Sequence, residues 1–222
     1  MTEPILFEVK NLSTSPRRTH KFHLQNISFR LPEGYIMGLI GKNCAGKTTF
    51  FRTVMKENAK YTGKLILGGK DLAENHREAL EQIGFISEDN LFLGCRSLSQ
   101  NAELLGRFYS GFQMEHFEEA IGAFHLPQSK NIHDLSRGEA MKFQLAFAMA
   151  HHPKLYLLDE ATAGMDPVFR MDLYKILRQL MEKDACSVIL STHSREEITK
   201  ELDYVGVLEQ GRLTSFGENE WC

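Results

Sequence analysis

Gly41-Lys42-Asn43-Cys44-Ala45-Gly46-Lys47-Thr48-Thr49 fits the spacing G-x-x-x-x-G-K-[ST], a loop whose backbone N–H groups wrap a phosphate. A strand-like apolar run precedes it (Tyr35, Ile36, Met37, Leu39, Ile40), and helix-forming sequence follows (Phe50, Phe51, Arg52, Val54, Met55). That strand–loop–helix setting separates a phosphate loop from a glycine-rich turn that matches by chance. The loop amides and the positive helix end aim at one anion. Lys47 is expected to reach the β- and γ-phosphates, and the Thr48 hydroxyl to sit on Mg²⁺. A nucleoside triphosphate is the expected ligand.

Leu155-Tyr156-Leu157-Leu158-Asp159-Glu160 is a second apolar strand, ending in two carboxylates. Ligands of open α/β sheets bind at such strand ends. Asp159 is expected to hold Mg²⁺ with Thr48, and Glu160 to polarise an attacking water. Acidic residues capping the next helix are the bland alternative; the phosphate loop in the same chain favours the site. Ser191-Thr192-His193 follows a third apolar run. A lone histidine is more often structural. Here it falls on the same sheet edge, where a neutral imidazole can bond the γ-phosphate or the water.

The rest of the chain narrows the class. With 222 residues, 42% of them apolar, there is material for one domain with a sizeable core. A net charge of −3 and the absence of a basic run argue against a nucleic-acid coat. The start, Met1-Thr2-Glu3-Pro4, lacks the features of a signal peptide. No apolar stretch approaches the ~20 residues that a bilayer requires, so a membrane role is expected to come through a partner. Cys44, Cys95, Cys186 and Cys222 lack zinc-ligand or disulfide spacing, and free thiols in a reducing cytosol fit better.

Strand patterns cover 5–10, 24–30, 35–40, 64–67 and 83–86, with a turn at Thr62-Gly63 and a hairpin closed at Gly68-Gly69. Helical spacing then takes over: Leu98, Ala102, Leu105 and Phe108 share one face, and Phe117, Ile121 and Phe124 another. This reads as a helical lobe inserted over about 89–135. A long helix through Met141, Leu145 and Met149 stops at His152-Pro153. Strand 155–158, helix 168–181, strand 187–190, helix 196–201 and a hairpin around Gln210-Gly211 complete an alternating α/β pattern with a parallel sheet.

In this order the motifs resemble the ATP-binding cassette (ABC) ATPases over essentially the whole chain, 1–222. Residues 41–49 resemble Walker A and 155–160 Walker B. Leu135-Ser136-Arg137-Gly138-Glu139 is similar to the family signature, usually LSGGQ, at the head of a helix expected near Ala140. Ala163-Gly164-Met165-Asp166 resembles the D-loop, and His193 the switch histidine. The resemblance implies a P-loop NTPase fold of ABC type: a mixed sheet core, an antiparallel β subdomain and the inserted helical lobe. It implies ATP and Mg²⁺ as cofactors, with Lys47, Glu160 and His193 catalytic. It also implies a head-to-tail pair of cassettes, in which the signature of one subunit closes over the ATP of the other. The second cassette is a copy of this chain or a sister.

Several residues depart from the family pattern. Glu88 stands where Gln is usual in the switch loop; it is expected there, with an oxygen for Mg²⁺. Cys44 replaces a common Gly, Arg137 and Glu139 add charge to the signature, and Ala161 replaces a common Pro. The adenine platform is expected between Ser13 and Phe22, with Phe22 or His20 favoured over Arg17 and Arg18.

The lobe is too short for the coiled coils of chromosome-maintenance ATPases. The reading is therefore the ATPase subunit of a membrane transporter. It would sit at the cytoplasmic face of the membrane through an integral permease whose helix docks near Glu88 and the lobe. The motif wording resembles ABC-2-type exporters of peptides, drugs or other amphipathic cargo, and no nucleic acid is expected. The rival reading is a soluble ABC ATPase acting on nucleic acid, ribosomes or cluster assembly.

Overall fold

The computed structural model describes residues 3–15, 22–56, 60–74, 76–89, 91–162 and 165–220. Its strands are β1 (Ile5–Thr14), β2 (Ile27–Pro32), β3 (Ile36–Ile40), β4 (Tyr61–Leu67), β5 (Lys70–Asp71), β6 (Ile83–Ser87), β7 (Leu155–Asp159), β8 (Ser187–Thr192), β9 (Tyr204–Glu209) and β10 (Arg212–Glu218). The helices are α1 (Lys47–Val54), α2 (His76–Glu81), α3 (Leu98–Leu105), α4 (Met114–Ala123), α5 (Arg137–Met149), α6 (Pro167–Asp184) and α7 (Arg195–Lys200).

Two sheets form. The first, ordered β2-β1-β4-β5, is antiparallel. The second runs β10-β9-β3-β8-β7-β6, with β9, β3, β8, β7 and β6 parallel and β10 antiparallel at one edge. Parallel strands must be covered on both faces, which explains why β7 and β8 are buried at every position. On one face, α1 packs between the two sheets. Phe50 and Phe51 join a core with Phe7, Phe29, Leu65, Leu157 and Ile189. On the other face, α4, α5 and α6 pack through Phe117, Phe143, Phe147, Tyr156 and Leu177.

The expected mixed core, antiparallel subdomain and helical insertion are therefore present. Three local expectations differ. Thr62-Gly63 is not a turn but lies inside β4, where the pairing with β1 slips between Lys10 and Ser13. Gly63 has φ +91°, and a Cβ there would stand 2.4 Å from the Lys10 carbonyl, so the glycine serves a bulge. The helix expected near Ala140 starts at Arg137, because Ser136 and Glu139 form a capping box. Helix α2, absent from the sequence reading, has no buried residue and hence no apolar stripe to reveal it. Among the described residues, no helix is long and apolar enough to cross a membrane.

Candidate functional site

The phosphate loop leaves the C-terminal end of β3. Gly46 caps α1 with φ +115°. Cys44 has φ +63°, a left-handed conformation that costs an L-residue about 1–2 kcal/mol; its place in the loop does demand positive φ. Lys47 opens α1 and is 4% exposed. Its ammonium donates to the Gly41 carbonyl at 2.9 Å and the Lys42 carbonyl at 3.4 Å, with Glu160 Oε1 at 3.9 Å. A buried cation held mainly by neutral carbonyls favours an anion. The loop that surrounds it fits a polyphosphate.

β7 and β8 deliver the other half of this edge. Asp159 is buried, and burial pushes its carboxyl pKa up. Hydrogen bonds from Ser191 and Thr48 and the Lys47 charge pull the other way, while the Glu160 charge adds to the rise. The Ser191 hydroxyl donates to Asp159 Oδ1 at 2.8 Å and accepts from the Glu160 amide at 2.7 Å. Glu160 itself has φ +51°, which turns the chain sharply at the strand end. The Thr48–Asp159 pairing brings a hydroxyl and a carboxylate together, the hard oxygen donors that suit Mg²⁺. His193 and Glu160 line one cavity of about 260 Å³. Thus Lys47, Thr48, Asp159, Glu160 and His193 gather at adjacent strand ends.

Phe22 lies against this loop. A Cβ on Gly46 would stand 2.7 Å from the Phe22 ring, which is 39% exposed. The other platform candidate, His20, lies outside the described residues, as do Arg17 and Arg18. Ala163 and Gly164 do too. Asp166, expected in the D-loop, caps α6 by accepting from the Phe169 amide at 2.8 Å.

The signature turn is a surface feature. The Ser136 hydroxyl accepts from the Glu139 amide at 3.3 Å, and the Ser136 amide donates back to Glu139 Oε2 at 2.8 Å. Lys130 donates to both Glu139 oxygens at 2.9 Å. These bonds hold the Glu139 carboxyl down at about 2, Lys130 contributing most. Leu135 is partly buried against the helical core.

Glu88 departs from the expectation of a metal ligand. Its carboxylate pairs with Arg137 Nη1 at 3.2 Å, because the charged variant in the signature puts a guanidinium within reach. The neighbours of Glu88 are also tied down. Gln144 of α5 bonds both the amide and the carbonyl of Ser87, at 3.0 and 2.9 Å. Asp89 accepts from Arg52 of α1 at 2.5 Å. Sequence reading missed Ser191, Gln144 and Lys130; a polar Gln on the apolar face of α5 was the one local signal.

The sequence of residues 24–163 matches the model of a family described as ABC transporter. The chain is similar to the ABC transporter ATP-binding protein YtrB of Bacillus subtilis (strain 168), 28% identical over 86% of this chain and 65% of that protein. It is similar at 28% to the bacitracin transport ATP-binding protein BcrA of Enterococcus faecalis, over 86% of this chain and 62% of that one. It also matches the methionine import ATP-binding protein MetN 1 of Burkholderia lata at 30%, over 87% and 59%. The chain thus spans less than two thirds of the length of these three relatives. A solved structure titled as the ATP binding subunit of an ABC transporter superposes with a TM-score of 0.85 at 25% identity, covering 96% of this chain and 90% of that one. With the phosphate loop, the paired carboxylates and the signature turn in one fold, the chain belongs to the ABC transporter family as one of its ATP-binding ATPase domains.

Proposed function

We propose that this chain is the ATP-hydrolysing motor of a membrane exporter and that it works as a face-to-face pair of cassettes. One observation carries the pairing. Gly138 sits in the first turn of α5, yet a Cβ there would meet nothing within 4 Å. Glycine in a helix costs about 0.5–1 kcal/mol relative to alanine, and no contact among the described residues needs it. Close approach by a triphosphate bound to another cassette accounts for it. The helix N-terminus and the Ser136 hydroxyl would then meet that ligand.

In this reading, Lys47 and the amides of 41–49 neutralise the phosphates. Thr48 and Asp159 would hold Mg²⁺, which when bound would supply charge neutralisation for the phosphates. Glu160 orients the attacking water, and His193 bonds the γ-phosphate from the neighbouring strand end. Phe22, against the loop, is the adenine platform. Glu88 remains the switch-loop residue, and Asp166 the D-loop residue. The Glu88 oxygen expected at the metal is engaged by Arg137 instead.

An apolar groove of about 380 Å³ between α2, β6 and the helical lobe supports a permease partner. Leu91 and Phe108 stand exposed at its walls, and Phe85, Tyr109, Phe147 and His151 form its floor. An amphipathic cytoplasmic helix of an integral membrane protein fits such a groove. The chain would then lie on the cytoplasmic face of the membrane. Both BcrA and MetN are transport proteins by name; export of peptides, drugs or other amphipathic cargo is the direction favoured by the motif wording.

The test joins two measurements. Ser136→Ala should leave ATP affinity of the isolated protomer unchanged and lower turnover about tenfold or more, by removing a donor from the partner's site. Weakened ATP affinity in the protomer, or unaltered turnover, would defeat the paired reading. Affinity capture from detergent-solubilised membranes should bring down an integral membrane protein, and Phe108→Glu should abolish that capture. ATPase activity stimulated by nucleic acid, with no membrane protein retained, would reassign the chain to the soluble class.

A further inference from the structure

Glu197 is a buried carboxylate with no place in the mechanism above. It lies in α7 and is 3% exposed. Its Oε2 accepts a short hydrogen bond from the Thr192 hydroxyl and another from the Thr162 hydroxyl at 3.3 Å. Its Oε1 lies 3.8 Å from Arg170 Nε. Arg170 in turn donates from Nη2 to the Met165 carbonyl at 3.3 Å.

Each of these partners belongs to a segment of the hydrolytic edge. Thr162 follows Glu160 by two residues. Thr192 immediately precedes His193. Arg170 rises from the helix that Asp166 caps, and ties back to Met165 beside it. Glu197 therefore touches the exits of β7 and β8 and the start of α6 at once. It shares the 260 Å³ cavity with Glu160 and His193. A buried carboxylate is costly unless it is paired and hydrogen-bonded; here two threonine hydroxyls bond one oxygen and the Arg170 charge stands beside the other, from three different segments. Packing alone would be met as well by an apolar residue.

We propose that Glu197 is a positioning residue for ATP hydrolysis: it sets the spacing of Glu160 and His193 by holding the two strand exits and the Arg170 helix on one carboxylate. The inference rests on the hydrolytic roles given to Glu160 and His193. A displacement of about 1 Å in such groups is enough to cost as much as 10²-fold in rate.

Steady-state ATPase kinetics, ATP binding and melting temperature of the purified full chain test this. Glu197→Ala should lower kcat about tenfold or more with KM for ATP within about twofold, a loss of alignment with binding intact. Glu197→Gln keeps one acceptor oxygen for the threonines and should recover most of that loss. Thr162→Val should lower kcat about threefold in the parent and have no further effect in Glu197→Ala, since its bond passes through Glu197. Should Glu197→Ala fail to fold, Thr162→Val carries the test by itself: a threefold fall in kcat with ATP affinity and melting temperature kept supports the proposal, and an unchanged kcat overturns it. Equal loss of kcat and ATP affinity in step with melting temperature, or unchanged kcat, overturns the proposal. Glu160→Gln separates the two levels. If it retains parental turnover, the reading of the site itself fails; if it is inactive while Glu197→Ala and Thr162→Val turn over normally, only Glu197 is misassigned.

Discussion

The phosphate-loop half and the signature half of this cassette are built in opposite ways. Lys47 and Asp159 are almost fully buried, and Ser191 locks Asp159 to the Glu160 amide across neighbouring strands. Arg137 and Glu139 keep 40% and 30% of their side chains exposed and are held by Glu88 and Lys130 on the surface. The first half is finished by its own chain. The second presents a capped helix end and an unfilled glycine to whatever approaches. Exposed ion pairs contribute roughly 0–1 kcal/mol, so the signature half is cheap to rearrange and the phosphate half is not.

The largest effects should come from the buried half. Lys47→Ala should abolish measurable ATP binding, while Glu160→Gln should bind ATP and lower turnover by about 10²-fold or more, read by phosphate release. Retained binding in Lys47→Ala would mean that the loop amides alone suffice, and would weaken the contrast.

Acid should separate the two ends of α5. His151, stacked on Tyr109 just past its C-terminus, is driven down from 6.5 to about 4 by burial, partly opposed by a backbone bond to Phe147. The unfolded chain takes up this proton first, so stability should fall as pH drops from 6.5 to 4, by up to about 3 kcal/mol. Glu139 has its folded value depressed to about 2, so its stabilisation holds above about 4.5 and fades as pH falls towards 2. Urea titrations across pH 7 to 3 should show the first slope and lose it in His151→Gln. A slope surviving in that variant would place the acid sensitivity elsewhere.

Gln144→Leu should cost about 1–3 kcal/mol, since the amide and carbonyl of Ser87 lose their partners. Chemical denaturation of parent and variant measures it. Glu88→Gln should shift stability by less than about 1 kcal/mol, and 1 M salt should erase the difference. A larger, salt-resistant shift would show that the Glu88–Arg137 pair belongs with the buried half after all.

The asymmetry also explains what was readable beforehand. The phosphate loop and the Asp159-Glu160 pair announce themselves because strand, glycine and charge occur at fixed spacings along one segment. The fold followed from the alternation of apolar strands and amphipathic helices. The start of α5 at Arg137 was missed because its first turn carries charge rather than an apolar stripe, although Ser136-x-x-Glu139 is a legible capping box. Ser191, Lys130 and Glu197 were not readable, because their roles depend on which strands and loops become neighbours. Ser191 meets Asp159 only once β7 pairs with β8. The Glu88–Arg137 pair was not readable either, because it joins the exit of β6 to the head of α5, two segments far apart in sequence.

Three consecutive residues at the exit of β6 tie it to two helices: Ser87 and Glu88 to the middle and the head of α5, Asp89 to the helix of the phosphate loop. Of these ties only the Gln144–Ser87 pair is buried, so the hold of the strand exit on α5 rests mainly on it, while the two exposed ion pairs give way at little cost.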